Sequence, residues 1–240
     1  FGGERGAQNQ CVLGPPSHPR TRAPSLKRAN QRSPPKYGDA VIHCLFKRLN
    51  VYWRLSTSRP RLRCIRFGSG KINVNMAPQQ DSDKIMLAAK YFVKKSKEDP
   101  EKGLDALKLQ KLLYYTKAWG MVLKNRQLFP DEFQAWVHGP ANPKVWQAYR
   151  EFDFAAPHPE IVAMSFDEFS KDEKEVLENI WNVYGKFDGK YLEALTHTEE
   201  PWLEARRGLE PSVASQNVIS DELMKQYYEQ RFAEATPTSN

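Results

Sequence analysis

Between Leu109 and Tyr149 the sequence reads LQKLLYYTKAWGMVLKNRQLFPDEFQAWVHGPANPKVWQAY, which places eight aromatic residues in one stretch. Segments that stay disordered are poor in aromatic and apolar residues, so this stretch has to be a core or a contact surface. Whatever the chain folds into must be assembled around it. Leu109, Leu112, Leu113, Thr116, Trp119 and Leu123 recur at helical spacing behind a possible N-cap at Asp105. Tyr114, Tyr115, Met121 and Val122 add apolar surface off that face, so the helix is expected to be central and to touch neighbours on several sides. Lys111 and Lys117 are expected to be solvated, and Trp136 and Trp146 to serve the core before any interface.

The rest of this region supplies further elements. Asp81 or Ser82 can cap a helix with Ile85, Ala88, Ala89 and Phe92 on its apolar side, stopped by Glu98, Asp99 and Pro100. Phe133 to His138, FQAWVH, is aromatic and β-branched and is expected to be extended. Gly139-Pro140 then turns the chain, and Asn142 as N-cap with Pro143 at the first position opens another helix. Residues 153–169 read mostly as loop. Ser170 and Glu173 form a capping box ahead of Val176, Leu177, Ile180, Trp181 and Tyr184. Short helices are expected from Tyr191 to His197 and from Pro201, closed by Gly208, and a last one from Leu223 to Phe232 after a polar connector. The expected fold is mainly α, a single compact helical domain of about six helices with one short extended element. No βαβ alternation is present, which argues against a doubly wound sheet.

Charge divides the chain at Met76. Residues 1–75 carry 15 Lys and Arg against Glu4 and Asp39, whereas residues 76–240 carry 21 against 27 acids, so net charges of +13 and −6 hide behind the overall +7. The leading part has no sustained periodicity and is expected to be an unstructured basic segment. It is read as upstream sequence ahead of a product starting at Met76, and otherwise as a nucleic-acid-binding arm. The domain is then expected at 76–234, with a disordered tail at 235–240. The sequence has no signal-peptide pattern, and no run approaches the ~18 apolar residues of a membrane span. A soluble cytoplasmic protein is expected.

The residues of established chemistries are missing from the domain. All three cysteines, Cys11, Cys44 and Cys64, precede Met76, which deprives the domain of thiolate zinc sites and cysteine nucleophiles. Only His138, His158 and His197 remain there as histidines, without an HExxH; His197 and Glu199 resemble half of a zinc-deaminase motif that lacks its cysteine partner. Neither GxSxG nor a phosphate loop with correct spacing occurs. Lys94, Lys95, Lys97, Lys108 and Lys111 give the first two helices a local basic character, and with the basic segment they motivate an alternative reading as a helical nucleic-acid-binding regulator. The net −6 after Met76 opposes it for the domain itself.

Three ordered blocks carry a resemblance: KLQKLLYYTKAW, then LF followed by QAWVHGPANPKVWQAY, then LTHTEEPWLEARRG. Together they resemble the Panacea domain family, also called SocA-like or phage-associated GepA-like, over about residues 80–230. The resemblance implies a small helical antitoxin domain that neutralises a cognate toxin protein, encoded by the adjacent gene, through direct binding. It implies that some members hand the toxin to a protease, and it implies no cofactor, metal or catalysed reaction. Candidate partner-binding residues on the motif turns are Trp136, His138, Asn142, His197, Glu199, Trp202 and Arg206. A structural role for each, capping or anchoring its turn, is the preferred reading.

Overall fold

The computed structural model describes residues 83–235, so the segment 1–75 and residues 236–240 of the expected tail lie outside the described residues. Eight α-helices and one hairpin make up this part: α1 Lys84–Glu98, α2 Ala106–Leu123, β1 Gln134–Trp136, β2 Gly139–Ala141, α3 Pro143–Tyr149, α4 Pro159–Val162, α5 Lys171–Tyr184, α6 Gly189–Thr196, α7 Glu200–Ala205 and α8 Asp221–Ala235. The mainly helical expectation holds. No helix among the described residues is long and apolar enough to cross a membrane.

Helix starts follow the capping chemistry. Asp83 caps α1, the expected caps Asp81 and Ser82 lying outside the described residues, Asp105 accepts from the Lys108 amide at 2.7 Å, and Asn142 accepts from Val145 at 3.0 Å. Ser170 and Glu173 form the reciprocal box at the start of α5. Asp188 caps α6 at 2.7 Å and starts it two residues before Tyr191, and Ser220 accepts from Leu223 ahead of α8. Each cap satisfies an amide the first turn leaves unpaired, worth about 1 kcal/mol.

Helix α2 is the axis. Every residue from Lys108 to Met121 is buried, with α5, α6 and α8 packed along it and α1, α3 and the hairpin closing its other sides. This enclosure corrects the expectation that Lys111 and Lys117 are solvated: their exposures are 1% and 0%. A helix covered all round has no wet side to offer. Tyr115 stacks on Tyr184 with centroids 4.1 Å apart, and the Trp119 indole donates to the Tyr184 hydroxyl at 2.9 Å. Helix α1 buries Ile85, Ala88, Ala89 and Phe92, as its spacing requires.

The extended segment is one strand of a hairpin. Gln134 pairs with Ala141, Ala135 with Pro140 and Trp136 with Gly139, so Val137 and His138 form a two-residue turn. Gly139 and Pro140 therefore lie on the second strand, one step beyond the bend. The free edge of β1 is taken by residues returning from α7: the Ala135 amide donates to Asn217 at 2.8 Å and the Ile219 amide to Phe133 at 2.8 Å. Loop 153–169 holds the four-residue α4 and little else regular.

Candidate partner-binding site

The motif turns are fixed from below by cations of α2. The Lys111 ammonium donates to the carbonyls of His138 and, at 3.0 Å, Pro140, clasping both sides of the hairpin turn. Burial pulls it down to about 7, against the weaker attraction of Glu193. Lys108 donates to Lys102, to Gly103 at 2.7 Å and to Gly185 at 2.6 Å, joining the α1–α2 turn to the end of α5. It is likewise lowered by burial, to about 8. Lys117 reaches the Asp131 carbonyl at 2.7 Å and the Asp221 carboxylate at 2.8 Å. Three lysines of the central helix are thus internal braces.

Gly139 shows how tightly the hairpin sits on this brace. Its φ is +87, and a Cβ there would lie 2.7 Å from Thr196 Oγ1 and 2.8 Å from Lys111 Nζ. Only a residue without a side chain fits both the backbone and the gap.

The seven candidates divide into scaffold and surface. Asn142, buried, caps α3, donates to the Glu132 carbonyl at 2.9 Å and exchanges two hydrogen bonds with the Gln110 amide group. Arg206, also buried, donates to Ala135 at 2.9 Å and to the carbonyls of Glu210, Pro211 and Val213 at 3.1, 3.2 and 2.7 Å, so one guanidinium shapes the connector after α7. Trp202 donates to the Trp136 carbonyl at 3.0 Å and stacks on the half-buried His197, whose protonation burial disfavours. Glu199 is fully enclosed and accepts from Tyr115 at 3.1 Å and Tyr228 at 2.7 Å. These roles are internal, as capping and anchoring require.

Trp136 and His138 reach the surface. His138 is mostly exposed and pairs with Glu193 at 2.8 Å, which Lys190 also holds. Trp136 is half-buried, its indole donating to Gln134 at 2.8 Å and its ring edge-on to the exposed Trp146 at 6.0 Å. Gln134 is bridged to Val218 on the opposite edge, so Val218, Gln134, Trp136 and Trp146 form one outward row. Leu209 and Val213 of the connector and Leu203 of α7 are exposed as well.

Leu203, Leu209, Val213 and Val218 did not emerge from the sequence reading, which took the connector as polar. The available signal was three aliphatic residues, Leu209, Val213 and Val218, in a stretch without helical or strand period. Long ordered loops of that composition are often functional. Among the described residues, no group of three or more His, Cys, Asp and Glu is placed to hold a metal.

Fold and site together define a helical domain whose hairpin and connector, braced from below, expose aromatic and aliphatic side chains. Residues 109–203 match the family model described as antitoxin SocA-like, Panacea domain. The resemblance read from the three sequence blocks is borne out over this span, where the chain is similar to the SocA-like antitoxin Panacea domain. No curated protein and no solved structure is matched by the chain.

Proposed function

We propose that the domain is the antitoxin of a toxin–antitoxin pair and neutralises a cognate toxin protein, encoded by the adjacent gene, by direct binding without a catalytic step. The match of residues 109–203 to an antitoxin family carries this reading. The contact face is assigned to Trp136, His138, Trp146, Leu209, Val213 and Val218, with Asn142, His197, Glu199, Trp202 and Arg206 holding it in place. An aromatic centre with a charged rim is the composition of a protein interface. The nucleic-acid reading loses part of its motive, because Lys108 and Lys111 are buried and spent on carbonyls.

Co-expression with the neighbouring toxin tests the reading. Growth should be rescued and the tagged domain should retain the toxin, whereas a Leu209→Asp, Val213→Asp double variant should lose retention with an unfolding midpoint close to wild type. Exposed substitutions of that kind ordinarily shift stability by no more than about 0.5 kcal/mol each. Rescue without retention, accompanied by protease-dependent disappearance of the toxin, would assign the delivery mode instead. Failure of both rescue and retention rejects the proposal.

A further inference from the structure

Helix α8 is the most lightly attached long helix of the described domain. Of its fifteen residues only Met224 and Tyr228 are buried, and it ends the described chain, so it can lift away without parting the helices beneath it. Its polar ties include Tyr228 to Glu199, Asp221 to Lys117 and Gln127, and Lys225 to Asn125. The first of these differs from the rest, because it ends on a carboxylate sealed from water.

Glu199 sits where α6 passes into α7, with α2 on one side and α8 on the other. Two tyrosine hydroxyls are its hydrogen-bond donors, and among the described residues it is in no ion pair within 4 Å. A buried carboxylate held only by neutral donors recovers little of its lost hydration. Its ionic surroundings are Lys111 on α2 and Arg231 on α8, which attract it from farther off. Tyr114 and Tyr115 of α2, Tyr184 of α5 and Tyr227 and Tyr228 of α8 face it as well, and burial holds all five phenols above their ordinary value and neutral.

We propose that Glu199 is the catch of a proton-dependent latch: with its carboxyl protonated α8 stays docked on α2, and ionisation of the carboxyl makes α8 easier to lift. The inference goes beyond the toxin-binding reading and holds whether or not that reading survives. Burial pushes the carboxyl up to about 7, the two tyrosine bonds and the distant cations only partly opposing it. The docked state therefore binds the proton more tightly than an opened, hydrated state at the ordinary 4.5. Docking is strongest below that ordinary value and weakens as pH rises toward and through about 7. Between pH 5 and pH 8 the opening equilibrium should rise on the order of 10²-fold. What opening uncovers is the aromatic surface of Tyr114, Tyr115 and Trp119.

Amide hydrogen exchange on the full chain, corrected for the intrinsic pH dependence of exchange, provides the test. Protection of α8 amides should fall on the order of 10²-fold from pH 5 to pH 8, and at each pH it should stay below that of α5 amides from Val176 to Tyr184, which exchange only through larger openings. In Glu199→Gln, whose amide oxygen still accepts from one tyrosine, the α8 trend should flatten. Unchanged α8 protection in the wild type overturns the proposal, as does α8 protection equal to that of α5 at every pH, which would mean that α8 opens only by global unfolding. Persistence of the trend in Glu199→Gln overturns it too. Should that variant not fold, the comparison of α8 with α5 in the wild type decides alone.

Discussion

Replacing Lys111 with Met isolates what a buried cation contributes beneath the hairpin. The stem volume is kept and the ammonium removed, which leaves the carbonyls of His138 and Pro140 without their donor. Each orphaned acceptor costs about 1–3 kcal/mol, so the direct loss is about 2–6 kcal/mol. Against this stands the relief of a charge that burial pulls from 10.5 down to about 7. That shift corresponds to about 5 kcal/mol. The sign follows from linkage: the folded state resists the proton that the unfolded state still binds between about 7 and 10.5, so wild-type stability from this group rises across that window. Below it the full penalty is present and the two terms nearly cancel. Lys111→Met should accordingly be close to wild type near pH 6 and fall behind it by several kcal/mol toward pH 10. Urea titrations of both proteins at matched pH give the difference, and titrations common to both, including those of the buried tyrosines, largely cancel in it. A difference that stays constant from pH 6 to pH 10 would show that the ammonium is not depressed and would refute the reasoning.

Other perturbations probe the same scaffold. Gly139→Ala should destabilise by roughly 2–5 kcal/mol, combining a left-handed backbone with overpacking against Thr196 and Lys111, as urea unfolding would register. Arg206→Ala should cost about 3 kcal/mol or more by orphaning carbonyls of both β1 and the connector, and it should open the segment 207–218 to limited proteolysis. Arg206→Lys should restore little of this, since one ammonium cannot span four acceptors in the fork geometry of a guanidinium. Glu173, bonded to Lys84 and to the Ser170 amide, is brought down to about 2 in spite of its burial, so its contribution is present above its ordinary 4.5 and lost as pH falls from there toward 2. Thermal unfolding of Glu173→Gln should show a smaller loss on acidification than the wild type.

What the sequence made legible was local. Asp105, Asn142 and the pair Ser170 and Glu173 announce their helices within four residues, and each cap stands where that chemistry puts it. Lysine burial was not legible from lysine, whose type is almost always wet. It was implicit in Tyr114, Tyr115 and Met121, whose apolar surface off the main face calls for neighbours on every side of the helix and so leaves its lysines no wet side. The carbonyls these lysines bind are separated from them by up to 77 residues, and no local pattern points so far. The candidate site shows the same division. Asn142 was recognisable as a cap, whereas Arg206 looks like any charged residue at a helix end until the chain returns to wrap it.

The braces also explain how so irregular a surface is held. The connector after α7 exposes nearly all of its side chains from Arg207 to Val218, and loops of that kind sample many conformations unless something tethers the backbone. Lys111 and Arg206 tether the hairpin and the connector by their carbonyls, leaving exposed side chains such as Leu209 and Val213 without a part in holding them. A rim ordered before binding loses less conformational freedom on meeting its partner. Specificity can then vary in the exposed positions while the cations beneath stay the same. Substitutions of Leu209 or Val213 should therefore change which partner is bound, whereas those of Lys111 or Arg206 should weaken every partner together; a Lys111 or Arg206 variant that loses one partner and keeps another would break that division.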